Sequence, residues 1–190
     1  MRRCAVTDLT EKKISSEKIF DGKVLHVAVD RVLLPNGEEG IREIVLHRGA
    51  VAVIPLTDDE EVICVRQFRY VHGQVLLEIP AGKLEESDID VREAALRELE
   101  EETGASCESL EEMGVFYPTP AICSEKIHLF MARGLKFGET HPDDDEFLEI
   151  ERIPLKTLVK MVMRGEVPDS KTQACVLRAW LALHPGELAD

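Results

Sequence analysis

Glu98, Glu101 and Glu102 are spaced i, i+3 and i+4 within Arg97-Glu98-Leu99-Glu100-Glu101-Glu102-Thr103-Gly104. On a helix advancing about 100° per residue they share one half-circle, the same one that carries Val91, Ala94, Ala95 and Leu99. Three carboxylates beside an apolar stripe repel each other and lose hydration, so a positive partner has to neutralise them. Carboxylate oxygens at this density suit hard divalent cations, Mg²⁺ or Mn²⁺. A solvated acidic face is the plainer account of a glutamate-rich helix. It explains Glu93 and Glu100 on the far side, and it fits the other three poorly. Glu98 and Glu102 lie one turn apart and can share an ion, and Glu101 beside them can hold a further one.

The helix that must present these groups has clear ends. Asp90 with Glu93 forms a capping box, and Thr103-Gly104 supplies the stop. Upstream, Glu78-Ile79-Pro80-Ala81-Gly82 closes an apolar strand ahead of an acidic loop. Here the residues resemble a known family. Arg97 through Ala105 is similar to the end of the Nudix box, and Gly82 to its opening glycine. The family hydrolyses nucleoside diphosphates linked to another moiety, with divalent metal held by the box glutamates. Fourteen residues separate Gly82 from Arg97, one more than the family pattern. Asp88 therefore takes the place of the first box glutamate counting from Gly82, and Ile89 takes it counting back from Arg97. That glutamate mainly supports the loop in the family, so the resemblance implies a rebuilt loop around an intact metal cluster.

Composition bounds the rest. A chain of 190 residues can bury a substantial core as one domain or one domain with a small appendage. The net charge of −14 and the lack of a basic patch argue against a nucleic-acid surface. An anionic substrate would be repelled at long range and would need local arginines and bound metal to hold it. The five cysteines are odd in number and widely spaced, without a C-x-x-C, which fits reduced thiols better than a disulfide framework or a zinc site. Met1 to Lys13 contains no apolar run of signal-peptide type, and no segment reaches the roughly eighteen apolar residues of a membrane span. A soluble, cytoplasmic protein without membrane contact is expected.

Read in order, residues 1–48 predict a small antiparallel sheet. A strand is expected near Lys18-Ile19-Phe20, alternation runs from Val24 to Leu33, Pro35-Asn36-Gly37 turns the chain, and Ile41 to His47 returns. Gly49 reads as the boundary of a second domain, 49–190. That domain opens with the apolar strand Ala50–Leu56 and continues with Glu61–Arg66 and Val75–Ile79, after which Pro80-Ala81-Gly82 is read as a break. Beyond the acidic helix, Glu108–Val115, Lys126–Arg133 and Phe147–Ile153 read as strands. Leu155–Arg164 and Lys171–Leu183 read as closing helices. The fold class is α/β, a mixed sheet between helices, and the resemblance implies the Nudix α/β/α sandwich with a small N-terminal antiparallel sheet.

The resemblance narrows to ADP-ribose pyrophosphatases. Glu78 to Gly82, Arg66-Gln67-Phe68-Arg69 and the front sheet are similar to theirs. So are Ser124-Glu125 and Asp169-Ser170-Lys171-Thr172. Pro120 stands sixteen residues beyond Gly104, the subfamily's usual sign of ADP-ribose preference, although a turn proline in Pro118-Thr119-Pro120 would rigidify any loop. The implied reaction is metal-dependent hydrolysis of ADP-ribose to AMP and ribose 5-phosphate. Two alternatives stand beside it: a broader nucleoside diphosphate sugar hydrolase acting on substrates such as GDP-mannose, and a catalytically silent ADP-ribose sensor.

The site residues follow. Two or more Mg²⁺ or Mn²⁺ ions would be held by Glu98, Glu101 and Glu102, and the resemblance adds the backbone carbonyl of Ala81. A general base must take the proton of the attacking water. The acidic stretch offers Asp143, Asp144, Asp145, Glu146 and Glu149, and the family's loop-to-strand position selects Glu146. Arg69, with Arg66 near it, is the candidate for the substrate phosphates, because the guanidinium fork matches phosphate geometry. The resemblance implies that Glu78 positions the terminal ribose or the loop, and Arg97 is expected to orient the box carboxylates through ion pairs. Phe20 is a candidate to stack on adenine. A front sheet too small to bury both faces predicts a homodimer, as related enzymes assemble.

Overall fold

A computed structural model describes residues 8–88, 90–140 and 147–188. Within them the chain forms two compact units, one of residues 8–47 with 119–125 and the other of 48–118 with 126–188.

The first unit is a three-stranded antiparallel sheet of β1 (Lys12–Asp21), β2 (His26–Leu33) and β3 (Glu39–Leu46), with β2 in the middle. The central strand follows the expected alternation: Ala28, Asp30 and Val32 are buried, whereas Arg31 and Leu33 are exposed. Asp30 is accommodated by Lys13 at 2.8 Å and the Ser16 hydroxyl at 2.5 Å, both reaching across from β1. β1 is far longer than the sequence suggested. All ten of its residues are exposed, so no apolar alternation marks it, and two register shifts against β2 break its period. The segment 119–125 joins this unit by backbone pairing: Val45 N–H donates to the Ile122 carbonyl and Ser124 N–H to the Val45 carbonyl.

The second unit opens with β4 (Ala50–Pro55), β5 (Glu61–Arg69), β6 (Gln74–Glu78) and β7 (Ala81–Lys83). Helix α1 (Val91–Thr103) follows, then β8 (Ala105–Ser106), β9 (Ser109–Phe116), β10 (Ile127–Arg133), β11 (Lys136–Phe137) and β12 (Leu148–Pro154). Helices α2 (Leu155–Met163) and α3 (Ser170–Leu183) close the unit, followed by a short 3-10 turn. The main sheet has the order β7-β4-β10-β9, with β4 and β10 parallel and the flanking pairs antiparallel, so it is mixed. A second sheet, β12-β5-β6, is antiparallel, and β8 pairs with β11.

β4 is an unbroken apolar run because both its faces are covered. Val51 and Val53 turn to one side, with Phe130 and Ala132 of β10, and pack on Ala94, Ala95 and Leu99 of α1. Ala52 and Ile54 turn to the other, with Leu129 and Met131, against Leu155 and Leu158 of α2 and Cys175, Val176 and Ala179 of α3. Each fully buried Val, Leu or Phe here contributes roughly 1.5–3 kcal/mol. The result is the α/β/α sandwich anticipated from the sequence. One local expectation needs correcting: Pro80-Ala81-Gly82 does not end the pairing. Proline has no N–H to donate, but its carbonyl accepts from Val53 N–H at 2.9 Å, and Ala81–Lys83 continues as an edge strand on β4.

Among the described residues no helix is long and apolar enough to cross a membrane. Cys64, Cys107, Cys123 and Cys175 are free thiols, and burial pushes Cys64 and Cys175 up to about 12.

Candidate active site

Helix α1 is fixed at both ends before it presents anything. The Asp90 carboxylate accepts from the backbone N–H groups of Arg92 and Glu93, capping the N-terminus. Gly104 adopts a left-handed φ of 65° and its N–H returns to the Glu100 carbonyl. The two alanines of the buried stripe, Ala94 and Ala95, let the helix lie close on the sheet. That closeness carries Glu98 onto β7. A Cβ at residue 82 would fall 2.0 Å from the Glu98 carboxyl carbon, so only glycine leaves room for the carboxylate there.

The face predicted from the helical wheel is the face the fold buries. Glu98 and Glu102 are 8% and 4% exposed, Glu101 is half-buried, and Glu93 and Glu100 are exposed. Arg97 lies along the cluster. Its Nη1 donates to Glu98 Oε1 at 2.8 Å and to Glu101 Oε2 at 2.9 Å, and its Nη2 meets Asp88 Oδ2 at 3.2 Å. Burial works against the Arg97 charge, yet the hydrogen bond to Asp88 and the charges of Glu98 and Glu101 hold its pKa above the ordinary arginine value.

Asp88 resolves the extra residue of the loop. Its Oδ2 also accepts from Glu85 N–H at 2.7 Å, closing the turn before the helix. Burial would raise the Asp88 pKa, but the Glu85 N–H and Arg97 lower it below the usual carboxylate value. Counted from Gly82, the shorter acid thus supports the loop and anchors the arginine. Ile89, the other alignment, lies outside the described residues.

A second polar group gathers around Glu78, which is 1% exposed at the end of β6. Arg69 grips it with a fork, Nε to Oε1 at 2.7 Å and Nη2 to Oε2 at 2.8 Å. Lys171, in the first turn of α3, donates to the same Oε2. Burial would raise the Glu78 pKa, but the hydrogen bond from Arg69 and the charge of Lys171 outweigh it and lower it to about 2. The neighbouring backbone is held as well: Ile79 N–H donates to Thr172 Oγ1 at 2.9 Å, and that hydroxyl donates to Asp169, the N-cap of α3, at 2.5 Å. Arg69 is kept above the ordinary arginine value first by its hydrogen bonds to Glu78, against burial, then by the charges of Glu78, Glu102 and Asp169.

The second unit thus supplies Arg69, Glu78, Ala81, Glu98, Glu101 and Glu102 to adjoining segments. Arg66 is on the opposite face of β5, where its Nε donates to Glu151 Oε2 at 2.7 Å. Pro120 and Phe20 are exposed residues of the first unit. Glu146 and Asp143 to Asp145 lie outside the described residues, and Glu149 is exposed on β12. Sequence reasoning gave no role to Lys171 or Thr172. Their signal was a lone acid in an apolar strand, Leu76-Leu77-Glu78-Ile79, which cannot be buried without a cation.

Among the described residues no three acidic, histidine or cysteine side chains are already arranged around one point as metal ligands. Glu98 and Glu101 each turn an oxygen to Arg97 Nη1 instead. The donor set nevertheless fits a hard divalent cation. It consists of carboxylate oxygens on one helix face, two of the groups are buried, and Gly82 lets the Glu98 carboxylate lie close against β7, the segment that carries the Ala81 carbonyl.

The chain is similar to known proteins over most of its length. The NUDIX domain matches residues 46–173, and the nucleoside diphosphate sugar hydrolase N-terminal domain matches residues 11–45. An ADP-ribose pyrophosphatase of Bacillus subtilis (strain 168) is 45% identical over 166 residues, 86% of this chain and 89% of the relative. A methanol dehydrogenase activator of Bacillus methanolicus is 44% identical over 168 residues, 87% of this chain and 90% of the relative. The crystal structure of an ADP compounds hydrolase shares the fold, with a TM-score of 0.78 at 22% identity over 92% of this chain and 95% of that one.

Proposed function

The chain belongs to the Nudix hydrolase family, and we propose that it hydrolyses the pyrophosphate of ADP-ribose to AMP and ribose 5-phosphate. Water adds across the P–O–P bridge: its oxygen bonds to one phosphorus, and the bridging oxygen leaves with the other. The observation that carries this reading is the carboxylate face of α1, with Glu98 and Glu102 buried, Glu98 lying against Gly82, and Arg97 joining Glu98 to Glu101. The relative named for ADP-ribose and the position of Pro120 support that substrate.

Glu98, Glu101, Glu102 and the Ala81 carbonyl would hold two or more Mg²⁺ or Mn²⁺ ions. When bound, such ions neutralise pyrophosphate oxygens and lower the pKa of a coordinated water. Arg97 holds Glu98 and Glu101 in place and takes no part in bond making. Arg69, oriented by Glu78, binds a substrate phosphate. Glu146 takes the proton of the attacking water. In the first unit, Ile14, Ile19, Phe20 and Ile41 are each at least half exposed, which supports a homodimer formed through this sheet. Sedimentation at micromolar concentration should give the dimer mass, and a stable monomer would remove that part of the reading. The acidic charge and the absence of a membrane-crossing helix among the described residues are consistent with a cytoplasmic enzyme.

The test is a comparison of kcat/KM for ADP-ribose, GDP-mannose and other nucleoside diphosphate derivatives with Mg²⁺ present. ADP-ribose should be the best substrate. Faster turnover of a hexose nucleotide would contradict the assignment, and tight ADP-ribose binding without turnover would replace the enzyme with a sensor.

A further inference from the structure

Arg69 spends Nε and Nη2 on Glu78, which leaves its Nη1 edge without a partner among the described residues, on a side chain 38% exposed. That edge is the part an anionic ligand can reach. Its strength depends on how much of the guanidinium charge the protein has already consumed. Two carboxylates lie close by, Glu78 and Asp169, and the charge of Glu102 is also felt. One cation cannot balance them and still attract a phosphate.

Lys171 supplies the second cation. Its side chain is only 12% exposed, and its Nζ bridges Glu78 Oε2 and Asp169 Oδ1, the latter at 3.0 Å. The reach is fixed because Lys171 is in the capped first turn of α3, where Asp169 accepts from Thr172 N–H at 2.9 Å and Thr172 holds Ile79. Solvated surface lysines are neither so buried nor so shared.

Resting on the phosphate role proposed for Arg69, we propose that Lys171 is a positioning residue for that role. It balances Glu78 and Asp169, so that Arg69 keeps its orientation and offers net positive charge to a substrate phosphate. Lys171 itself does not touch the ligand. Removing its charge leaves Asp169 without its ion-pair partner and Arg69 as the one cation on Glu78, in a partly desolvated cluster. A phosphate brought there then meets a net negative field that little water screens.

The test is a double-mutant cycle on ligand binding, read by calorimetry with Mg²⁺ present and a non-hydrolysable ADP-ribose analogue, so that catalysis does not enter. ADP and the analogue are titrated into wild type, K171M, K171Q, K171R, R69M and R69M/K171M, with circular dichroism to establish folding; K171Q keeps the cycle readable should K171M misfold. K171M should weaken binding about tenfold, whereas K171R should stay within about threefold of wild type. The double variant should bind within about threefold of R69M alone, because Lys171 acts through Arg69. Wild-type binding by folded K171M, or losses that multiply in the double variant, would overturn the inference. Binding of ADP without the analogue sinks the substrate reading and leaves the cycle to be read on ADP. Wild type that binds neither removes the Arg69 role and this inference with it.

Discussion

Gly82 and Glu98 approach so closely that a Cβ at residue 82 would lie 2.0 Å from the Glu98 carboxyl carbon and 2.0 Å from its Oε1. The backbone of Gly82 is not in the left-handed region, so the contact is steric alone. The atoms met are the far end of the flexible Glu98 side chain, so Gly82→Ala turns that carboxylate away and leaves the backbone in place. Turnover should fall by about a hundredfold because Glu98 is displaced, while urea unfolding should stay within about 1 kcal/mol of wild type. A variant with wild-type activity would show that the contact is not needed.

Glu78 makes stability depend on pH in a defined direction. Its folded pKa of about 2 lies below the ordinary value of 4.5, so the folded state holds fewer protons than the unfolded state between them. The stabilisation is complete above about pH 4.5 and is lost as pH falls through about 2. At pH 7 Glu78→Gln should be less stable than wild type, since Arg69 and Lys171 then face a neutral group. Denaturant titrations at descending pH should show that deficit shrinking below pH 4.5. A deficit constant from pH 7 to pH 3 would contradict the ion-pair account.

Much of this site was legible in the sequence, for reasons particular to each residue. The wheel placed Glu98 and Glu102 on the buried side because helix periodicity is local, and Asp90 and Gly104 marked the ends by their own backbone chemistry. Other parts depend on distant partners. Nothing near Glu78 announces Lys171, 93 residues away. Asp88 and Ile89 stand equal in the sequence, because the contact of Asp88 with Arg97 is made only in the fold. β1 was underestimated because an exposed strand is held by backbone bonds that leave no apolar pattern. Arg69 is the phosphate candidate with Arg66 only near it in sequence, and an odd separation along β5 sends the two to opposite faces.

The proposed base is Glu146, which lies outside the described residues. Glu146→Gln should leave ADP-ribose affinity nearly unchanged while turnover falls by roughly 10²–10⁴. Asp143→Asn and Asp144→Asn should each stay within about threefold of wild type. Steady-state kinetics with ligand titration separates the two effects. An inactive Glu149→Gln beside an active Glu146→Gln would move the role to Glu149.

The central claim is that the buried carboxylates of α1 work with divalent metal to cleave a pyrophosphate. It is tested most directly by the rate of AMP release from ADP-ribose by wild type and Glu102→Gln, each with Mg²⁺ and with EDTA. Glutamine keeps the size and hydrogen-bonding capacity of Glu102 but removes the charge a dication needs. Wild type with Mg²⁺ should release AMP and ribose 5-phosphate in equal amounts, and EDTA should abolish the reaction. The variant should keep its fold and lose at least about a hundredfold in rate. AMP release by Glu102→Gln at the wild-type rate, or release undiminished by EDTA, would contradict the account.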